Sequence, residues 1–358
     1  MPKILFLDSY YPQVLTDLPI TYSYEDRIRQ LGRLMFGTSD FYSHAFKKMG
    51  WEAADLVVND ELGLRLWGKQ HSKNPGPLDF VEWYKPDVLY CQDLSIISPA
   101  IFRRMKDQGI IKLLAAQHSC PWAGDQNVSQ FDIVFSSFPH YLDRIRKVGP
   151  KSEFLQIGFG GQRVLDAIFP SKSPTPASSR PYKISFVGGI GGGSTPGHWS
   201  AGTMLLRKIA ENFPTEFQWW GYGSELLTRD DPLSKCYKGM AWGSTMYRVY
   251  ADSSIVVNRH GEVAEGYFNN MRNYEATGLG SVLFTEDAPN LSKFFRPMDD
   301  CVPYSDKSIV FQISHLLNSY HIDRIATNGF SRTMKDHTYD KILVPVEETF
   351  TRMLNGRS

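Results

Sequence analysis

The chain has 358 residues, of which 42% are hydrophobic, 13% aromatic and 22% charged. That composition supplies a globular fold with ample core and, at roughly 150 residues per domain, room for about two domains. Lys plus Arg number 39 against 38 Asp plus Glu, so there is no broad basic field for nucleic acid or anionic lipid, and an anionic ligand has to be met by a local pocket.

The N-terminus, MPKILFLDSYYP, places one Lys before a short apolar run that stops at Asp8. The run is too short for the apolar part of a signal sequence and reads as a first strand. No apolar run approaches the roughly 20 residues of a membrane span. Further on, the first half alternates apolar runs such as EAADLVV, PDVLYCQD, IKLLAAQ and FDIVFSS with amphipathic stretches such as SDFYSHAFKKMG, SPAIFRRMKDQG and PHYLDRIRKVG. Strands without polar alternation, separated by helices, point to parallel strands covered on both faces. One Rossmann-like domain is expected over residues 1–167. The four cysteines, Cys91, Cys120, Cys236 and Cys301, stand far apart without a C-x-x-C pair. Neither a disulfide framework nor a zinc site is expected, and a reducing cytoplasm fits best.

Between Ile168 and Tyr182 the segment IFPSKSPTPASSRPY, with four Pro and four Ser, reads as an interdomain linker. The pattern then restarts: YKISFVGG, EFQWWGYG, SIVVNRHG and SVLFT read as strands, with MLLRKIAENF and MYRVYADS as helices between them. A second Rossmann-like domain is expected over 183–340, followed by a C-terminal helix over 341–358 that can cross back to the first domain.

Open parallel sheets bind ligands beyond the carboxyl ends of their strands, which directs attention to the residues that follow each strand. After the first strand of the second domain comes GGIGGG, whose Gly188, Gly189 and Gly191 let backbone N–H groups approach a phosphate. Asn270 is placed to cap a short helix, leaving the N–H groups of Met271 to Asn273 as an anion site. Arg272 in that first turn offers a guanidinium for phosphate oxygens, and Glu275 a carboxylate for the hydroxyls of a ribose. Arg259 and His260 follow the preceding strand at the same edge. In the first domain Asp93 and His118 follow two strands, as candidates to accept a proton from an acceptor hydroxyl. His44 opens a helix that can contribute to acceptor binding.

The stretches VVNRHGE and NMRNYEATGLGSVLFTE, with the helical residues after them, resemble the C-terminal half of group 1 glycosyltransferases of the spore-maturation, CgeB-like type. The fingerprint N-x-R-x-[FY]-E-x-x-x-x-G is matched by Asn270, Arg272, Tyr274, Glu275 and Gly280. The resemblance implies a GT-B fold, two Rossmann-like domains facing across a cleft, with a nucleotide-sugar donor in the C-terminal domain and the acceptor in the N-terminal one. It implies that Arg272 and the helix start hold the diphosphate, that Glu275 holds the ribose, and that KGMAW, ending at Trp242, lines the base pocket. It also implies that no metal or other cofactor is needed, the nucleotide sugar being a co-substrate. The acceptor is left open among small molecule, glycan and protein. The sequence departs from the E-x7-E spacing of retaining relatives, because Tyr267 stands eight residues before Glu275, so stereochemistry stays open. A nucleotide-sugar epimerase of the same fold and a non-catalytic nucleotide-sugar-binding protein are the alternative readings.

Overall fold

The computed structural model describes residues 1–95, 97–121, 128–170, 173–191 and 200–356. Apolar runs without polar alternation become strands with both faces buried: Ile4, Leu5 and Phe6 of the first strand are all out of solvent, as are Val88 to Cys91 of the third. The chain divides into two units, one of Met1–Gln156 together with the C-terminal stretch from Tyr339, the other of Ile157–Thr338.

The first unit is built on six parallel strands: β1 (Lys3–Asp8), β2 (Glu52–Val57), β3 (Val88–Cys91), β4 (Leu113–Gln117), β5 (Ile133–Ser136) and β6 (Lys151–Phe154), in the order β2-β1-β3-β4-β5-β6. The register pairs Ile4 with Ala53 on one side and with Val88 on the other. Phe6 meets Tyr42 and Phe46 of the helix Phe41–Lys48 edge-on, at centroid distances of 5.5 and 5.4 Å. The C-terminal helix Val344–Leu354 packs in this unit. Its Phe350 is fully buried against Phe46, Tyr90 and Phe135, and Trp51 Nε1 donates to Glu347 at 2.9 Å. Fully burying one such aromatic ring is worth about 1.5–3 kcal/mol.

The second unit holds five parallel strands: β7 (Tyr182–Val187), β8 (Phe217–Trp220), β9 (Ser253–Asn258), β10 (Val282–Glu286) and β11 (Val302–Tyr304), in the order β11-β10-β9-β7-β8. Alternate residues Ile184 and Phe186 of β7 and Ile255 and Val257 of β9 join Leu206 and Ile209 of the helix Ser200–Asn212 in one apolar core. The Pro- and Ser-rich segment that composition marks as a linker lies within this unit, with residues 171 and 172 outside the described ones. Its Arg180 is 1% exposed and donates to the carbonyls of Thr175, Ser253 and Leu279 and to Ser281 Oγ. Buried polar groups are paired in folded proteins, and here a single guanidinium satisfies carbonyls from separate loops and so ties the segment down.

The two sheets follow one path. In each, the first strand is flanked by the second on one side and the third on the other, so the strand order reverses between β1 and β3 in the first sheet and between β7 and β9 in the second. Crevices form at such reversals, at the carboxyl ends of the strands. Among the described residues no helix is long and apolar enough to cross a membrane.

Candidate functional site

In the second unit the reversal point is occupied by two arginines. Arg259 leaves the end of β9 and Arg272 stands in the first turn of the helix Met271–Gly278. Both guanidinium groups lie over the ring of Phe186, with their carbons 5.4 and 4.7 Å from its centroid. A cation over an aromatic face gains from the ring quadrupole, and the shared ring holds two like charges close together. Burial, with the charge of Arg272 added, lowers the Arg259 pKa to about 10.

Neutral oxygens accept from each guanidinium. Arg272 directs Nε and Nη2 to the carbonyl of Val187, at 3.0 and 2.6 Å, and Nη1 to Asn258 Oδ1 at 2.8 Å. Arg259 Nη2 donates to the Gly189 carbonyl at 2.7 Å. The Tyr250 hydroxyl takes a further hydrogen bond from the Arg272 guanidinium. Gly202, in the first turn of the helix Ser200–Asn212, makes room for Arg259: a Cβ there would stand 1.7 Å from Nη1. Of the glycine-rich loop, Gly188, Gly189 and Gly191 are described; residues 192–199 lie outside the described residues.

Asn270 caps the helix through Oδ1, which accepts from the Arg272 N–H at 2.9 Å. The Asn273 N–H is bound as well, to the Asn270 carbonyl at 3.1 Å. Two of the three N–H groups expected to meet an anion are thus spent on the cap, because the asparagine that starts the helix also satisfies its first turn. The positive charge at this point resides in side chains more than in the helix start.

One turn further on, Glu275 is 4% exposed, with Oε1 accepting from the Tyr247 hydroxyl at 3.5 Å. Burial pushes its pKa up to about 7, against the opposing pull of Arg272 and the Tyr247 hydrogen bond. Near neutrality such a carboxyl both donates and accepts hydrogen bonds, which suits a vicinal diol. His260 donates its backbone N–H to Glu286 Oε2, while both ring nitrogens are out of solvent and without a partner. Burial holds the imidazole pKa down to about 4, so the ring is neutral and supplies one N–H and one lone pair rather than a charge. Trp242, before the helix Gly243–Ala251, lies parallel to Tyr222 at 6.3 Å, and Tyr222 in turn covers Gly189, where a Cβ would overlap its ring.

The architecture has counterparts among solved structures. The sucrose-phosphate synthase of Thermosynechococcus elongatus superimposes with a TM-score of 0.57 over 99% of this chain and 100% of its own, at 10% identity. HepE of Anabaena, solved in complex with UDP-glucose, gives 0.60 over 99% of both chains at 12% identity. A glycosyltransferase from Rickettsia africae gives 0.58 over 100% of this chain and 99% of that one, at 10% identity. The fold is GT-B. Residues 203–348 match the family model described as glycosyl transferase-like, a span that holds Arg259, Arg272 and Glu275. No curated protein matches the chain by sequence.

In the N-terminal unit of this GT-B fold the two residues expected as bases are otherwise engaged. Asp93 accepts from Ser9 Oγ and from both the N–H and the hydroxyl of Ser95, the latter two at 2.8 and 2.6 Å. His118 is 1% exposed, stacks on Tyr141 at 5.4 Å and sets Nδ1 3.6 Å from Cys120 Sγ. Burial lowers its pKa to about 4, which makes it a weak proton acceptor. His44 is half-buried within the helix Phe41–Lys48. Sequence reading passed over Asn258, Phe186 and Tyr247, although Asn258 stands at the end of a quoted strand, where a polar residue after an apolar run is itself a signal. It also passed over Asp8, at the same position on β1.

Proposed function

We propose that the chain is a glycosyltransferase that moves a sugar from a nucleoside-diphosphate sugar, held by the second unit, to an acceptor hydroxyl, without help from a metal ion. The observation that carries this reading is the pair Arg259 and Arg272, held over Phe186 at the reversal between β7 and β9, with carbonyl and amide oxygens among their acceptors. Two adjacent cations that repel each other gain most from a ligand with two or more negative charges. The guanidinium groups of Arg259 and Arg272 meet phosphate oxygens, and the departing diphosphate takes its negative charge into a site already organised to receive it. Glu275 holds the ribose diol, and Tyr222 with Trp242 forms an aromatic wall for the base. The fingerprint around Asn270, Arg272 and Glu275 favours the spore-maturation-like branch of group 1 enzymes. The fold and the partial family match favour the same reaction class.

Thermal-shift titration with UDP, GDP, dTDP and ADP tests the donor. A nucleotide at one hundred times its dissociation constant stabilises the folded state by about 2.7 kcal/mol. One nucleoside diphosphate is expected to do so well ahead of the others, with UDP the first to try because HepE, similar in fold, was solved with UDP-glucose. Release of the nucleotide from its sugar conjugate then separates an enzyme from a binding protein. Binding without turnover, whatever the acceptor supplied, leaves only the binder.

A further inference from the structure

The second sheet ends on β11, which has β10 on one side and, among the described residues, no strand on the other. Its middle residue, Pro303, has no N–H to offer a further strand, and the Pro303 carbonyl already accepts from Gln312 Nε2 at 3.0 Å. An edge blunted in this way resists extension by strand pairing, so a partner at this end of the sheet meets side chains. The helix that follows, Ile309–Leu317, turns Ile309, Ile313 and Leu316 to the core of the unit. Phe311 on the same helix is 73% exposed and stacks at 6.2 Å on His315, one turn further on.

Phe311 stands as a ridge between two hollows. One, of about 360 Å³, has the buried side chains of Val302, Leu316 and Ile325 on its floor and Met298, 56% exposed, at its rim. The other, of about 460 Å³, lies toward Asn318 and Tyr320, the latter 87% exposed. Single exposed apolar residues are ordinary, but a contiguous group of them around a hollow marks a contact surface. The hollow over Leu316 is large enough for an aromatic ring, since a cavity of about 150 Å³ already takes up benzene. A face that bears both a ridge and a hollow to receive it is complementary to itself, which is what a two-fold interface requires. Charge does not oppose such pairing. Histidines apart, Arg324 is the one charged residue among the described residues that line either hollow, and Asp299 neutralises it at 2.5 Å. Two copies therefore bring no unbalanced like charges together.

We propose that this face pairs two copies of the chain about a two-fold axis, with the Phe311 ring of each seated in the hollow over Leu316 and Ile325 of the other. Thirteen residues line the two hollows, about half of the roughly 20–30 per side in a standard interface. The pair is therefore a weak one, which forms as the protein concentration rises.

Sedimentation velocity on the full chain from about 5 to about 500 µM tests it, with methyl NMR of Leu316 and Ile325 over the same range. The native protein is expected to pass from monomer to dimer, and the methyl signals of both residues to shift in step. Phe311→Asp, an exposed change that spares the core stripe of the helix, is expected to weaken dimerisation by at least about 10-fold, because an aromatic anchor is lost from both copies at once. Tyr22→Ala, at a residue 90% exposed in the first unit, is expected to leave the dimer as it is. A chain that stays monomeric at about 500 µM overturns the proposal and gives the hollow to another occupant, such as a small apolar ligand. A dimer that Phe311→Asp leaves intact, or one whose formation does not move the Leu316 and Ile325 signals, overturns it as well.

Discussion

Asn258 Oδ1 lies 2.8 Å from Arg272 Nη1, while the Nδ2 of the same asparagine donates to Thr285 Oγ1 at 3.0 Å. The amide is therefore fixed from β10 before it receives the guanidinium, and its own backbone carbonyl is held by the Tyr304 hydroxyl at 2.7 Å. Three strand ends cooperate to set one arginine. Its side chain then stands at the crevice with its orientation already decided, which reduces the ordering cost of meeting a phosphate.

Replacing Asn258 by Ala removes that support. A hydrogen bond to a charged group is worth about 1.5–3 kcal/mol, so affinity for the nucleoside diphosphate is expected to fall by roughly 10-fold or more. Affinity for the bare nucleoside should stay the same. Calorimetry with both ligands checks this, and an equal loss for the two would place Asn258 outside the phosphate site.

Glu275 gives a pH signature. Its folded-state pKa, near 7, lies above the ordinary value of 4.5, so between these values the folded protein keeps a proton that the unfolded chain releases. The stability this confers is complete below about pH 4.5 and is lost as the pH rises through 7. Glu275→Gln keeps a neutral side chain at every pH. It is expected to unfold at a higher temperature than the native protein at pH 8, by an advantage of at most about 3 kcal/mol, and to come within about 1 kcal/mol of it at pH 5. Asp8 and Asp55, also raised to about 7, leave part of the pH slope in place. Thermal midpoints of the two proteins at both pH values decide the matter; an identical difference at pH 5 and pH 8 would refute the assignment.

Arg180 governs stability rather than binding. Arg180→Ala strands the carbonyls of Thr175, Ser253 and Leu279 without their donor, and removing one member of a buried charged network costs about 3–5 kcal/mol. Denaturant unfolding should show a loss of that size, with nucleotide affinity intact in whatever fraction remains folded.

The parallel sheets were legible because each strand is an apolar run too regular for a half-exposed sheet, and the helix at Met271 was legible because Asn270 is a good cap followed by residues that favour helix. Arg272 could be placed at the crevice for the same reason. Its partners could not, since the Val187 carbonyl and Asn258 come from other strands and only the sheet order brings them within reach. Composition reads the segment 168–182, with its four prolines and four serines, as a linker; the chain groups it with the second unit, where one buried arginine satisfies carbonyls distant in sequence. His118 follows a strand, as a crevice residue would, yet its ring turns to Tyr141 and the interior.

The claim that Arg259 and Arg272 hold the diphosphate of a sugar donor is tested most directly by calorimetric affinities for UDP and uridine, and for GDP and guanosine, in the native protein, Arg259→Ala and Arg272→Ala. The account predicts that the native protein binds one diphosphate well above its nucleoside. It also predicts that each alanine variant loses roughly 10- to 150-fold in diphosphate affinity while nucleoside affinity holds. Diphosphate affinities unchanged in both variants would contradict it.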